Sequence, residues 1–313
     1  MNIVITGGSG FVGSYLCEKL INDGHEIIVV DNLLTGSTEN INHLMHNENF
    51  SFIEHDVQNH IEIENKVDYV LHFASAASPK AYTEHPVNTL KAGSVGTINT
   101  LGLAKKHDAE YLLASTSEVY GDPLISPQTE EYWGNVNPNG ERSMYDEAKR
   151  FAEAAVATYS RSYDLKTKIV RIFNTYGPRM QLNDGRVVTN FIVQALKNEN
   201  ITIYGDGSQT RSFSYVEDTV AGIISLMNSS EYDVFNIGNP NEMTVGQLAE
   251  KIIELTDSTS EIKYLELPND DPKQRKPDIS KAKTKLNWEP KVNLCLLYTS
   301  PSPRDATLSR MPS

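Results

Sequence analysis

The chain begins with a change of hydrophobic pattern that predicts three successive elements. Residues 1–6 are mostly apolar and β-branched, as in a buried strand. A glycine-rich segment, residues 7–13, follows, and apolar residues then recur at helical spacing over residues 15–21. The helix is expected to end at Asp23 and Gly24, because glycine is common just after a helix C-terminus. The pattern therefore predicts a strand, a tight turn and a helix.

The same alternation repeats along the first half of the chain. Apolar runs predict further strands at residues 26–30, 50–53, 67–73, 111–114 and 168–173. Helical patterns predict long helices over residues 87–106 and 146–162. This alternation is typical of an α/β protein with a doubly wound parallel sheet, the Rossmann fold. After about residue 178 the alternation loosens, which predicts a smaller C-terminal α/β lobe.

The glycines of the predicted turn have the spacing of a dinucleotide-binding site. Gly7, Gly10 and Gly13 would let the backbone turn tightly, approach a pyrophosphate and pack the helix on the strand. The second predicted strand ends at Asp31, whose carboxylate can bind the hydroxyls of the adenosine ribose and would repel a 2′-phosphate. Because no arginine stands beside Asp31, the pattern favours NAD over NADP as the cofactor.

Ligands of doubly wound sheets bind beyond the carboxyl ends of the strands, so the residues at these ends are candidate contacts. Asp56 follows the third strand as a candidate adenine contact. Small residues after the fourth strand leave room for a flat cofactor, although a close-packed turn explains them equally well. The further cofactor candidates are Phe11, Val12, Asn32, Val57, Ala74, Ser75 and Ala76.

The fifth strand and a later helix carry the candidate catalytic groups. The strand ends at Thr116, Ser117 and Glu118, although a capped strand–helix turn uses the same residue types. Tyr145 and Lys149 are four residues apart, so they lie on one face of a helix. A nearby ammonium favours a phenolate, and we therefore expect Lys149 to lower the pKa of Tyr145 and make it an acid–base group.

Composition argues against several other classes of function. The net charge of −13 and the pI near 5.1 are unlike those of a general nucleic-acid or membrane-surface binder. Two cysteines, Cys17 and Cys295, cannot build a disulfide framework, and no cysteine or histidine spacing is typical of a metal site. With neither a signal peptide nor a long apolar run, the sequence predicts a cytoplasmic protein that binds no metal.

Several stretches together resemble the extended short-chain dehydrogenase/reductase family. The family motifs are matched by the glycine turn after Thr6, by the hydroxyl of Thr116 and by the Tyr145–Lys149 pair. Within this family, the chain is similar to the UDP-glucuronate decarboxylases from residue 1 to about residue 294. The stretches that carry this likeness are residues 112–122, 145–150, 173–180, 184–188, 204–213 and 275–278.

The resemblance implies the NAD-dependent conversion of UDP-glucuronate to UDP-xylose through a 4-keto intermediate. Tyr145 would take the proton of the sugar 4-hydroxyl, Lys149 would bind the nicotinamide ribose, and Thr116 would hydrogen-bond the 4-oxygen. Ser117 stands where 4,6-dehydratases have an aspartate, and Arg275 matches an arginine near the substrate carboxylate. The alternatives are a nucleotide-sugar 4,6-dehydratase or 4-epimerase, and a non-catalytic NAD-binding sensor or scaffold.

Polar residues of the second half are the candidate contacts of a UDP-sugar. Arg211 lies in a polar loop, where a solvated arginine is the alternative to the diphosphate clamp that the resemblance implies. Tyr204 is a candidate for stacking near the uridine, with core packing as the alternative. The complete set of candidate substrate contacts is Asn174, Arg179, Arg186, Tyr204, Gln209 and Arg211.

The resemblance also predicts the organisation of the chain. Residues 1–177, rejoined by about 214–238, would form the NAD-binding domain, and residues 178–213 and 239–294 the substrate-binding lobe. The helices over 87–106 and 146–162 of two copies would pair as a four-helix bundle in a homodimer. Residues 295–313 have no helical period and resemble translated adapter sequence, so we expect a non-native tail.

Overall fold

Short apolar and β-branched runs form the strands of the protein, and the computed structural model describes residues 1–266 and 274–292. The strands in chain order are β1 (Asn2–Thr6), β2 (Glu26–Asp31), β3 (Phe50–Glu54), β4 (Tyr69–His72), β5 (Glu110–Thr116), β6 (Thr167–Ile172), β7 (Thr175–Tyr176), β8 (Ile201–Tyr204), β9 (Thr210–Ser212), β10 (Ser214–Tyr215), β11 (Val234–Ile237), β12 (Glu242–Thr244), β13 (Ile262–Leu265) and β14 (Gln274–Arg275).

The helices alternate with these strands through the first half of the chain, as the pattern predicts. In chain order they are α1 (Phe11–Asn22), α2 (Pro79–Glu84), α3 (Pro86–Lys91), α4 (Thr97–His107), α5 (Ser143–Tyr163), α6 (Val187–Leu196), α7 (Val216–Met227), α8 (Val245–Thr256) and α9 (Ser280–Leu286).

The main sheet confirms the doubly wound fold. Its strands are all parallel and lie in the order β11-β6-β5-β4-β1-β2-β3. Because the chain runs outward in one direction from β1 to β3 and in the other from β4 to β6, a crevice opens at the carboxyl ends of β1 and β4. Ligands of this fold bind there.

Two hydrophobic layers hold helices against the two faces of this sheet. On one face, Leu16 of α1 and Ile223 of α7 are buried with Trp288, which follows α9. On the other face, Leu101 of α4 and Ala152 of α5 are buried in a second cluster. The small side chains of α5 allow close packing, so the helix that carries Tyr145 is fixed against the strand that carries Thr116.

A smaller lobe has its own core. Phe191 of α6, Ile203 of β8 and Leu248 of α8 are buried together there. Strands β8 and β13 form one parallel pair, and β9 pairs with β12 and β14. Strand β11 and helix α7 lie on the main sheet, in the region where the sequence predicts that the chain returns to the first lobe. The exact domain boundaries stay a prediction.

The predicted helix over residues 87–106 is divided in the structure. A π-helical turn, Ala92–Gly96, separates α3 from α4. A Cβ atom added to Gly93 would lie 2.7 Å from the Cβ of Ala148 on α5, and one added to Gly96 would lie 2.7 Å from Val57. Close packing on both sides therefore accompanies the change of helical pitch. The expected tail over 295–313, with Cys295, lies outside the described residues, as do residues 267–273.

Candidate active site

Both lobes line one cavity of about 860 Å³ at the carboxyl ends of β1, β2, β4 and β5. Every residue that the sequence assigns to the cofactor, to catalysis or to the substrate is part of its wall. The cofactor candidates lie at the end near α1, and the substrate candidates of the smaller lobe lie at the end near β8 and β9. The predicted residues thus share one continuous site, while their individual roles stay predictions.

The glycine turn leaves no room for side chains beneath a ligand. Gly7 has a φ of +75°, and a Cβ atom there would lie 2.7 Å from the backbone of Ala74. A Cβ atom on Gly13 would lie 2.2 Å from the carbonyl oxygen of Gly7. Gly10 is the N-cap of α1 and provides no side-chain cap, so the helix N-terminus faces the cavity with its backbone N–H groups. This cradle fits a pyrophosphate.

Asp31 is fixed where an adenosine ribose would bind. Its Oδ2 accepts a hydrogen bond from the Ser9 N–H at 3.1 Å, and its Oδ1 accepts one from the Leu33 N–H at 2.9 Å. The neighbouring Asn32 side chain donates to Oδ2 of Asp56 at 3.1 Å. A buried carboxylate held by two backbone donors is pre-oriented for ribose hydroxyls, so this end of the cavity fits NAD.

Tyr145 meets Thr116 at the opposite end of the cofactor cradle. The Tyr145 phenol is hydrogen-bonded to the Thr116 side chain, and both residues are buried. The Lys149 ammonium donates to the carbonyl oxygen of Ala114 at 2.8 Å and lies 6.0 Å from the centroid of the Tyr145 ring. The helical spacing of Tyr145 and Lys149 therefore places both beside the last residues of β5.

The expected effect of Lys149 on the Tyr145 pKa is not found in the structure. Burial raises the pKa of Tyr145 above its usual value, and the hydrogen bond from Thr116 only partly opposes this rise. Burial also lowers the pKa of Lys149 to about 8, although the Glu153 carboxylate opposes the shift. The spacing of the pair in the sequence predicts the effect of the Lys149 charge on the Tyr145 pKa. It does not reveal how much water both side chains lose on burial, and this desolvation has the larger effect on both pKa values.

Glu118 connects two arginines at the wall opposite the glycine turn. Arg275 donates from Nη2 to Oε2 of Glu118 at 2.8 Å and also from Nη1 to Oε1, and Arg142 ion-pairs with the same carboxylate. Burial would raise the pKa of Glu118, but Arg275 and Arg142 hold it below its usual value. Arg275 is only 4% exposed, so this guanidinium is a buried charge beside Ser117 and Thr116 in the cavity.

For two residues of the smaller lobe, Arg211 and Tyr204, the structure excludes the non-functional alternative that the sequence left open. Arg211 is buried in the cavity wall and donates to the Thr210 carbonyl at 2.9 Å, so it is not a solvated arginine. Tyr204 is 50% exposed, so core packing does not explain it. Gln209 donates to the Tyr204 carbonyl at 2.8 Å, while its Oε1 is buried without a hydrogen-bond partner in the described part of the chain.

Arg179 and Arg186 line the cavity near α1, away from Arg211. Arg179 donates to the Ser14 hydroxyl at 3.2 Å and ion-pairs with Glu18. Arg186 ion-pairs with Asp184 within the same connecting segment. Both arginines therefore border the cofactor cradle, whereas the sequence predicts that they contact the substrate. The segment over 178–186, here called the strap, carries both arginines.

Among the cavity residues that the sequence analysis did not assign, two contact the candidate catalytic groups. Tyr82 of α2 stacks on Tyr145, and Arg142 precedes α5 and binds Glu118. Arg142 could have been found, because it stands three residues before the candidate base and four before Asp146. Tyr82 has no such spacing, since α2 reaches the site only through the fold.

The described ranges contain neither a membrane-spanning helix nor a metal-binding group of side chains. None of their helices combines the length and apolar character needed to cross a bilayer. No group of three or more His, Cys, Asp or Glu side chains in the same ranges is placed to hold a metal ion.

Similar proteins share both the sequence and the fold. UDP-glucuronic acid decarboxylase 1 of Arabidopsis thaliana is 54% identical over 294 residues, which cover 94% of this chain and 67% of that protein. UDP-glucose 4-epimerase from Thermotoga maritima, solved with UDP-glucose, has a TM-score of 0.89 at 33% identity, over 98% of this chain and 100% of that one. UDP-glucuronic acid 4-epimerase from Bacillus cereus, in complex with UDP-glucuronic acid and NAD, has a TM-score of 0.84 at 26% identity, over 94% and 96%.

The family assignment rests on a match to nearly the whole sequence. The model of the family described as GDP-mannose 4,6 dehydratase matches residues 4–299. This range includes the glycine turn, both residues of the tyrosine–lysine pair and the second lobe. The chain belongs to this nucleotide-sugar branch of the extended short-chain dehydrogenase/reductase family.

Proposed function

We propose that this protein converts UDP-glucuronate to UDP-xylose and carbon dioxide with NAD as its bound cofactor. The observation that carries the proposal is the buried guanidinium of Arg275, in the same cavity wall as Thr116 and Tyr145. A guanidinium there would recognise the carboxylate that distinguishes UDP-glucuronate from a neutral UDP-sugar. The similarity to a decarboxylase at 54% identity, against 33% and 26% for the epimerases, supports the same choice.

When bound, NAD would accept one hydride from the sugar C4 and later return it. The chain's own residues would handle the proton, with Tyr145 taking it from the 4-hydroxyl and Thr116 holding the 4-oxygen. The resulting ketone is β to the carboxylate, so the electrons of the breaking C5–C6 bond move onto its oxygen as an enolate. C5 is then protonated, and Tyr145 gives its proton back to the 4-oxygen.

The remaining residues would orient the two ligands. Lys149 would bind the nicotinamide ribose, since its ammonium is held at the end of β5 by the Ala114 carbonyl. Asp31 would bind the adenosine ribose through oxygens already oriented by backbone donors. Arg211 and Gln209 would bind the UDP portion, for which a buried guanidinium and an unpartnered buried amide oxygen are suitable.

Ser117 disfavours the dehydratase alternative. A 4,6-dehydratase needs an acid near C6 to expel water, and a serine hydroxyl is a poor acid at neutral pH. A second carboxylate beside Glu118 would also repel the substrate carboxylate at close range. The 4-epimerase alternative keeps the Tyr145 chemistry, and it differs only in the fate of the ketone.

One assay separates these activities. Purified protein would be incubated with UDP-glucuronate and no added NAD, and the products separated by chromatography and mass spectrometry. UDP-xylose with carbon dioxide supports the proposal. UDP-galacturonate would instead identify an epimerase, and NAD binding without any turnover would identify a sensor. A parallel incubation with UDP-glucose that yields a 4-keto-6-deoxy sugar would identify a dehydratase.

A homodimer is also part of this proposal. Apolar side chains on neighbouring helices are exposed in the single chain, namely Val87, Leu90, Val95, Ile98 and Phe151. Exposed apolar patches of this kind mark association surfaces, and the helices α3, α4 and α5 could pair with their copies as a four-helix bundle. Sedimentation of the protein and of a Phe151→Glu variant would test it, with a monomeric parent protein contradicting the idea.

A further inference from the structure

Asp146 is a buried carboxylate that has no role in the proposed reaction. It follows Tyr145 on α5 and is 7% exposed. Its Oδ2 lies 4.0 Å from Nε of Arg142, and its Oδ1 is buried with no hydrogen-bond partner among the described residues. An ionised carboxylate with a buried, unpaired oxygen is costly, so Asp146 is built to accept a proton more easily than its neighbour Glu118.

Asp146 lies in a cluster of charges that includes the substrate end of the cavity. The charged and titratable groups that face it come from several segments. They are Glu118 from the turn after β5, Arg275 from β14, Tyr82 from α2, Arg142 just before α5, and Glu147 from α5 itself. Arg142 is shared, because it also ion-pairs with Glu118. Burial and the Glu118 charge raise the pKa of Asp146 to about 7, although Arg142 and Arg275 oppose the rise.

Glu147 is paired with Arg150, and Arg211, which also acts on Glu118, would bind the diphosphate of the substrate. The other charges of this cluster balance only before the substrate arrives. Arg142 and Arg275 compensate Glu118 and Asp146 when both acids are ionised. The carboxylate of UDP-glucuronate would add a third negative charge beside Arg275. Decarboxylation also consumes one proton, because a carboxylate and a proton together yield a C–H bond and carbon dioxide. A proton that enters with the substrate carboxylate would satisfy both requirements.

We propose that Asp146 takes up a proton when the substrate carboxylate binds and is ionised again once carbon dioxide has left. This inference rests on the proposed function. In the balanced step the C5–C6 bond breaks, its electron pair remains on the sugar as the enolate, and one solvent proton forms the new C5–H bond. The proton that Asp146 then releases to solvent replaces it. Asp146 is not part of the cavity wall, so it is a positioning residue that acts through Arg142 and Glu118.

The test measures protons on binding, in protein that does not turn over. Tyr145→Phe protein loaded with NAD would be titrated with UDP-glucuronate in buffers of different ionisation enthalpy. We expect uptake that approaches about one proton per site near pH 8, and none with UDP-xylose, which lacks the carboxylate. Affinity for UDP-glucuronate should weaken by up to about tenfold per pH unit above pH 7, because the ionised form of Asp146 opposes binding.

The decisive variant adds Asp146→Asn, which mimics the protonated side chain. Proton uptake and the pH dependence of affinity should both disappear, while the control Glu147→Gln, a half-buried neighbour paired with Arg150, should keep them. Unchanged uptake in Asp146→Asn would overturn the inference. If that variant does not fold, an infrared difference spectrum of Tyr145→Phe decides, because binding must produce the band of a protonated carboxyl. Absence of any UDP-glucuronate binding would instead refute the proposed function itself.

Discussion

Tyr82 stacks on Tyr145, with ring centroids 5.3 Å apart and ring planes 15° apart. Both side chains are buried, and Arg142 lies 5.9 Å from the Tyr82 ring. The candidate base is therefore held between its Thr116 hydrogen bond on one side and an aromatic face on the other. Stacked aromatic pairs contribute about 0.5–1.5 kcal/mol beyond their buried area, enough to fix the orientation of a phenol.

Loss of this stack should slow catalysis without releasing the cofactor. We expect Tyr82→Leu to lower kcat up to about tenfold, because the Tyr145 ring gains freedom. Tyr82→Phe keeps the stack and should keep nearly all activity. Steady-state kinetics and the NAD content of the purified variants would be measured together. Equal losses in both variants would point to the Tyr82 hydroxyl and contradict a stacking role.

Tyr145→Phe should separate cofactor binding from turnover. The substitution removes only the phenolic oxygen, so the cradle formed by residues 7–13 is untouched. NAD content should equal that of the parent protein, while kcat should fall by about 100-fold or more, as for a lost general base. Substantial remaining activity would eliminate Tyr145 as the base.

Lys149 should make the protein less stable at neutral pH than it is at alkaline pH. Burial lowers its pKa from 10.5 to about 8, so the unfolded chain binds more protons between these values. Stability therefore rises with pH through that window. Lys149→Met should add roughly 1–3 kcal/mol to the free energy of unfolding at pH 7 and abolish activity. Urea denaturation of NAD-free protein checks this, with the exposed Lys197→Met as control; a less stable Lys149→Met would contradict it.

The strap should slow the release of NAD. Gln181 donates to the Thr35 carbonyl at 2.8 Å, and Arg179 contacts Ser14 and Glu18 of α1, so the strap is anchored on both sides of the cofactor end. Gln181→Ala and Arg179→Ala should each raise the NAD dissociation rate several-fold, up to about tenfold. NAD retained after timed gel filtration measures this. An unchanged rate in both variants would show that the strap holds no cofactor.

Arg275→Lys should discriminate substrate from product. A lysine keeps the charge but lacks the planar guanidinium, which can bind the Glu118 carboxylate and the substrate carboxylate at once. We therefore expect kcat/KM for UDP-glucuronate to fall about 10- to 100-fold. Affinity for UDP-xylose should change little, because that ligand has no carboxylate. Isothermal titration with both ligands gives the comparison, and an equal loss for both would assign Arg275 to the nucleotide.

Local pattern predicted where the residues proposed to bind the cofactor lie in the fold, while their role stays a prediction. The glycine turn and Asp31 follow strands with strong apolar patterns, so their positions come directly from strand, turn and helix. The type of sheet, parallel and doubly wound, was also predictable, because alternating strands and helices allow few topologies. Helix α5 begins at Ser143, close to the expected start, since its alanine-rich sequence favours helix.

Contacts between distant segments were not predictable in the same way. The Tyr82–Tyr145 stack, the Arg142–Glu118 ion pair and the location of Arg179 all depend on how connecting segments pack against the sheet. The Tyr145 pKa was predicted in the wrong direction, because spacing reveals the charge of a neighbour but not the loss of water around both groups. Desolvation is a property of the assembled fold.

Glu118 and Arg275, which meet in the cavity wall, are separated by 157 positions in the chain. The glycine turn and Asp31, in contrast, both lie within the first 31 residues. A chain shortened before β14 would therefore lose the guanidinium of Arg275 while it keeps both of these features.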